Sequence, residues 1–520
     1  MKLVIVHYHL RPGGIRRIIE LATPHLLRQL PQLKTITLAC GEAADEKWHR
    51  AFERSLAPAK LEVVAAPALG YFSEQTAAAA TIRARLAKTL EKILAGADAQ
   101  NCLVWAHNLA IGRNLLLTQE LARACAARGI TLISHHHDWW FDNRWLRWPE
   151  IRRSGFATLD RVAGCIFPKT ATLRHATINH QEAAILARHL PKATTWLPNL
   201  ATRSEVPSPA RVRAARQWLQ QRLATRRAPV WILPCRLLRR KNVAEALLLT
   251  RWLRPEAWLV TTGGVSSADE RAYFEKLNHA SRQHHWPLRL GVLQGDETKK
   301  PTVAELMAAS EAVLLTSIQE GFGLPYLEAA AARRPLLARS LPNIAPDLHQ
   351  FGFRFPQVYD EILVATELFD WKAERRRQQK LFARWRNHLP RVPRRTVGKP
   401  VLLADVNRPP AVPFSRLTLT AQLEVLAHPA AHSWELCARL NPFLKKWRAR
   451  AKNARLGITR GPATADHWLS GAAYARRFAE LAQRPISRPK NFAAKMVQAD
   501  FFRKKLCPGN LYPLLWVTET

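Results

Sequence analysis

The chain has 520 residues, 48% of them hydrophobic, and a formal net charge of +39. That length allows two to four domains with large cores, and the hydrophobic share excludes an intrinsically disordered chain. Seven cysteines are scattered with no CxxC pair, which argues against a disulfide framework or a zinc site and implies a reducing, by default cytoplasmic, compartment.

Residues 1–200 alternate strand-like apolar runs with helical patterns, as in a parallel sheet covered on both faces. The expected strands are 2–9, 34–40, 61–66, 102–107, 130–136, 163–168 and 194–197. The expected helices include 14–29, 45–57, 74–96 and 111–128. The first apolar run is too short for a signal peptide, and no run reaches the length of a membrane span. Ligands of such sheets bind beyond the C-terminal strand ends, so the residues after each strand are the informative ones.

After the first strand, Gly13-Gly14 opens a helix, a fitting place for a diphosphate or an acceptor hydroxyl. It is not GxGxxG, so a dinucleotide site is not supported. After the fourth strand stand His107 and Asn108. After the fifth come His135, His136 and His137, then Asp138. Three adjacent histidines suggest a metal, but neighbours at a strand end point in different directions, so no metal is expected there. Trp139, Trp140, Trp145 and Trp148 follow, with Asn143 and Arg144 among them. Their indole faces suit packing, a sugar or a membrane surface. A polar linker and a helix then place the domain boundary near 200–227.

Residues 228–370 read as a second α/β unit. Its first strand, 229–233, ends in Arg236, with Arg239, Arg240 and Lys241 close behind. Clustered cations before a helix suit a diphosphate. The strand 311–316 runs into Gly321, Phe322 and Gly323 and a helix beginning near Pro325. Glycines let the backbone approach a ligand, and free N–H groups at the helix start attract hydroxyls or anionic oxygens. Glu320 and Glu328 bracket this loop, and their carboxylates are acceptors suited to the diols of a sugar or ribose.

Between residues 371 and 520, 30 Lys/Arg stand against 8 Asp/Glu. Helical patterns at 370–386, 418–427, 433–450 and 467–483 surround a Pro- and Arg-rich stretch at 390–413. A surface this basic favours polyanions: nucleic acid, anionic lipid headgroups or a charged glycan.

The loop at 317–328 resembles the E-x7-E element of retaining glycosyltransferases with the GT-B fold, especially the large family called family 4, or group 1. Arg236 and Lys241 fit that family's R-x4-K spacing, and Gly13-Gly14 resembles its N-terminal P-x-G-G loop. The resemblance covers roughly 1–370. It implies a GT-B architecture of two Rossmann-like doubly wound domains facing a cleft. The N-terminal acceptor-side domain would span 1–205, a linker helix 206–227 and the nucleotide-sugar domain 228–395. A basic helical extension, 396–520, would cross back in part to the first domain.

The resemblance further implies transfer of a sugar, with retention and without metal or other cofactor, from a nucleotide diphosphate to a glycan, lipid or small molecule. It places Glu320 at the donor sugar, Glu328 at the ribose, and Arg236 and Lys241 at the phosphates, with Gly13, Gly14, Gly321, Phe322 and Gly323 beside the donor. His137, with His135 as the alternative, would touch the donor sugar. His107, Asn108, His135 and Trp139 are the acceptor-side candidates. The basic charge admits peripheral contact with an anionic inner membrane face. The competing readings are a basic nucleic-acid-binding protein, disfavoured by the absence of an RNP pattern or paired Cys/His, and a GT-B epimerase or phosphorylase.

Overall fold

A computed structural model describes the chain except residues 143–144, 202–206, 226, 266, 296–299, 405–406, 488–491 and 517–520. Part of the expected linker, as well as Asn143 and Arg144, therefore lies outside the described residues. The chain divides into two units. The first comprises 1–202, 388–395 and 464–506, and the second 203–387, 396–463 and 507–520.

The first unit is built on a fully parallel seven-stranded sheet. Its strands are β1 (Lys2–Val6), β2 (Thr35–Cys40), β3 (Lys60–Ala65), β4 (Cys102–His107), β5 (Thr131–His136), β6 (Leu173–Thr177) and β7 (Thr194–Trp196). They lie in the order β3-β2-β1-β4-β5-β6-β7. The order reverses between β1 and β4, and that switch point is where open α/β sheets take ligands.

One expected strand is wrong. Residues 163–168 fall mostly in a helix, Leu159–Ile166, started by Thr158, whose hydroxyl accepts from the amide of Arg161. A short apolar run does not separate a strand from a buried helix. The true strand, Leu173–Thr177, carries Arg174 and His175, both buried, so its apolar signal is weak.

The second unit holds a parallel six-stranded sheet: β8 (Val230–Leu233), β9 (Trp258–Thr261), β10 (Leu288–Arg289), β11 (Ala312–Leu315), β12 (Leu336–Arg339) and β13 (Gln357–Tyr359). Its order is β10-β9-β8-β11-β12-β13, with the switch between β8 and β11. The helix Val243–Leu253 is buried along nearly its whole circumference, from Val243 to Thr250 and at Trp252 and Leu253. A helix apolar all round needs cover on every side. The helices Leu419–Ala427, Ala430–Cys437 and Pro442–Lys452 supply it, so residues 396–463 are a layer of this unit. At β12, the Arg339 guanidinium is fully buried and paired with Glu245, which also accepts from the Tyr359 hydroxyl at 2.6 Å.

The later segment 464–506 completes the first unit. Its helix Gly471–Gln483 packs on the helix Gly14–Gln29, and Tyr474 and Phe478 reach Trp105 of β4. The helix Ala494–Lys505, for which the sequence carries no clear period, covers the tryptophan-rich segment with Phe501 and Phe502. No helix among the described residues is long and apolar enough to cross a membrane.

Candidate functional site

In the second unit, the loops after β8 and β11 meet at the switch point. After β8, Arg239–Lys241 forms a single tight turn and Asn242 adopts a left-handed conformation, φ 49°, before the helix Val243–Leu253. The Thr316 hydroxyl donates to the carbonyls of Lys241 and Asn242 at 2.9 and 3.0 Å, and the Ile318 amide donates to Arg240 O at 2.9 Å. These three bonds fasten the cationic turn to the glycine loop.

The fastening brings the cations to Glu320. Lys241 Nζ pairs with Glu320 Oε1, and Arg240 Nη1 lies 2.7 Å from Oε2. The Ser317 hydroxyl donates to Oε1 at 2.7 Å, and the Asn343 amide donates to the Glu320 carbonyl at 2.8 Å. Burial alone would push the Glu320 carboxyl up, but Arg240 and Lys241 outweigh it and hold the group at about 2. Glu320 is therefore a carboxylate at any physiological pH.

Gly323 has φ 79° and caps the helix Leu324–Ala331. A Cβ there would lie 2.9 Å from the Tyr326 ring, so glycine is required twice over. Pro325 occupies the first turn and Glu328 stands half-buried farther along the same helix. Gly321 is half-buried, and Phe322 is buried with its ring toward Phe351. Arg236 is exposed, with its Cγ beside Gly263, and has no hydrogen bond or ion pair among the described residues. Sequence reasoning named the cation cluster but chose Lys241 over Arg240, and it missed Ser317 and Asn343, which only the folded loop brings to Glu320.

In the first unit, Gly13 and Gly14 are exposed at the start of the helix Gly14–Gln29, with open space where their side chains would be. Beside the loops after β1, β2 and β3 lies a cavity of about 110 Å³, lined by Tyr8, His9, Arg11, Glu42, Tyr71 and Glu74 among others. His9 Nε2 is 3.0 Å from the Tyr71 hydroxyl, and Arg11 pairs with Glu42 at 2.6 Å. This polar cavity is absent from the sequence reading, because its members come from three separate loops.

The histidines gather at the C-terminal ends of β4 and β5, next to the switch between β1 and β4. His107 and His135 are register partners on β4 and β5 and are fully buried. His137 Nε2 lies 3.1 Å from His107 Nδ1. Burial pushes His137 down to about 4, against the opposing pull of Asp138, and carries His107 and His135 well below the usual histidine range. All three are neutral at pH 7. His136 points elsewhere, to His175 at 3.0 Å, as adjacent strand residues should.

Two acceptor-side candidates serve other purposes. The Asn108 side chain accepts from the amides of His137 and Asp138 at 2.8 and 3.0 Å, pinning the loop. Trp139 is fully buried, stacked on His136 and packed against Phe501, so it has no face for an acceptor. Trp139, Trp140 and Trp145 are buried packing residues.

Residues 216–350, which include Arg236, Lys241, Glu320 and Glu328, match the family model described as glycosyl transferases group 1. Mannosylglucosyl-3-phosphoglycerate synthase of Petrotoga mobilis is 22% identical over 351 residues, 66% of this chain and 65% of that protein. The chain thus aligns with somewhat less than two thirds of that relative. The fold is of the GT-B type. Anabaena Alr3699/HepE, solved in complex with UDP-glucose, superposes with a TM-score of 0.51 at 15% identity, covering 92% of this chain and 98% of that one. The N-terminal domain of Candida albicans trehalose-6-phosphate phosphatase gives a TM-score of 0.52 at 11% identity, covering 93% and 97%.

Proposed function

We propose that this chain, whose second unit carries the group 1 glycosyl transferase match, is a glycosyltransferase that moves a sugar from a nucleoside diphosphate to an acceptor. The observation that carries the reading is the contact of Lys241 and Arg240 with Glu320 at the switch point of the second sheet. Departure of a nucleoside diphosphate builds negative charge on the leaving group and positive charge on the sugar. Fixed cations and a helix N-terminus stabilise the first without reorganising. Lys241, Arg240 and the exposed Arg236 are those cations. Glu320, held as a carboxylate, accepts hydrogen bonds from sugar hydroxyls, and Glu328 is suited to a ribose diol.

Because the phosphates would be held by side chains and backbone amides, the transfer needs no resident cofactor and no metal. Among the described residues none offers itself as a covalent nucleophile, so retention would come from displacement on one face, assisted by the leaving phosphate. His137, neutral and half-buried, suits a hydrogen bond to a sugar hydroxyl. The polar cavity around His9, Tyr71 and Glu74 is a candidate acceptor site, with a glycan, a lipid headgroup or a small molecule as acceptor. The basic surface is compatible with peripheral contact with an anionic membrane.

The reading is tested by following nucleoside diphosphate release from a panel of nucleotide sugars, UDP-glucose first. Lys241→Ala and Arg236→Ala should each lower turnover by about 100-fold or more, by comparison with loss of one oxyanion-stabilising group. Variants that turn over at the wild-type rate would remove these cations from the chemistry. NMR of the product anomer decides retention.

A further inference from the structure

His107, His135 and His137 make an arrangement that the transfer chemistry does not require. Parallel pairing of β4 with β5 sets His107 beside His135, and His137 stands two residues farther on, toward the same face. One ring nitrogen from each lies within 4.8 Å of the others. The closest pair, His107 Nδ1 and His137 Nε2, is 3.1 Å apart. Two imidazole nitrogens on one tetrahedral zinc ion, each about 2.0–2.1 Å from it, lie roughly 3.3 Å apart.

His135 Nε2 is buried and has no hydrogen-bond partner among the described residues, and on His107 the nitrogen turned away from His137, Nε2, is likewise unpartnered. The ligand loop is preset by Asn108, whose side chain holds the amides of His137 and Asp138. Trp105 lies 4.3 Å from the His107 ring, and Tyr474 closes the other side of His135. His137 is half-buried and the most exposed of the three.

We propose that His107, His135 and His137 form a three-imidazole site for a divalent cation of the zinc class, with one coordination position left open. Three neutral nitrogen donors suit Zn²⁺, Co²⁺ or Cu²⁺ and not the oxygen-seeking Mg²⁺. A cation on His137 would occupy a side chain that the transferase reading offers to a donor sugar, so the two uses compete for this loop. The proposal itself does not depend on that reading.

The test uses the full chain stripped with a chelator. Zn²⁺ is titrated by calorimetry, and Co²⁺ by the visible absorption that reports tetrahedral nitrogen ligation. Wild type and His279→Gln, which alters an exposed histidine of the second unit outside the triad, should each bind one Zn²⁺ per chain and ignore Mg²⁺. His137→Gln and His107→Gln should each weaken Zn²⁺ binding by more than about 100-fold, above the loss typical of outer-shell changes. His137 is at the rim, so His137→Gln keeps the test valid if His107→Gln fails to fold, as metal-free thermal unfolding would reveal. Absence of Zn²⁺ binding by wild type, or unchanged affinity in folded His137→Gln, overturns the proposal.

Discussion

At the scale of single residues, the state of Glu320 is set by its neighbours. Its folded-state carboxyl sits at about 2, below its ordinary value, because Arg240 and Lys241 outweigh the cost of burial. A depressed carboxyl contributes stability that is complete above the ordinary carboxylate range and is lost as pH falls toward about 2. The contribution at neutral pH is on the order of 3 kcal/mol. Urea unfolding of wild type and Glu320→Gln across acid pH measures it. The gap in unfolding free energy should be widest near neutrality and should close as pH drops from about 5 toward 2. A gap constant with pH would mean that the cations do not hold the carboxylate in this way. Glu320 and Lys241 were legible in the sequence because each belongs to a short-range spacing, R-x4-K or E-x7-E, close to one strand end. Their contact with each other, across 79 residues, was not.

Elements explain why. In both sheets the order reverses beside a loop of a candidate site, between β1 and β4 and between β8 and β11. Alternating apolar runs announce parallel strands, but they do not give the order of those strands. The His107–His135–His137 cluster therefore escaped sequence reasoning, which compared only the adjacent histidines. Strand order also sets the loops around the polar cavity, where Gly41 approaches Gly70. A Cβ on Gly41 would fall 2.5 Å from Gly70 Cα and 2.8 Å from Tyr8 O, all backbone atoms that cannot step aside. Gly41→Ala should cost about 1–3 kcal/mol as overpacking and lower the melting temperature accordingly. A variant that melts with the wild type would show that these loops are looser than their geometry. The helical patterns at 418–427, 433–450 and 467–483 were legible, whereas the helix Ala494–Lys505 was not. The destination of 396–463 was not, because the pull on it comes from the all-round apolar helix Val243–Leu253, more than 140 residues earlier in the chain.

For the whole molecule, the net charge of +39 is shared by any reading that involves a polyanion, a nucleoside diphosphate included. Charge alone does not separate a sugar-nucleotide enzyme from a nucleic-acid binder, whereas a defined site does. The most direct measurement is the thermal shift of the intact chain with a panel of nucleotide sugars, repeated on Lys241→Ala and Glu328→Ala. A donor at 100 times its dissociation constant stabilises the folded state by about 2.7 kcal/mol. The account predicts that one nucleotide sugar raises the melting temperature of the wild type and that each variant loses that rise. If no nucleotide sugar stabilises the protein while RNA or DNA gives a salt-sensitive rise, the glycosyltransferase reading is contradicted.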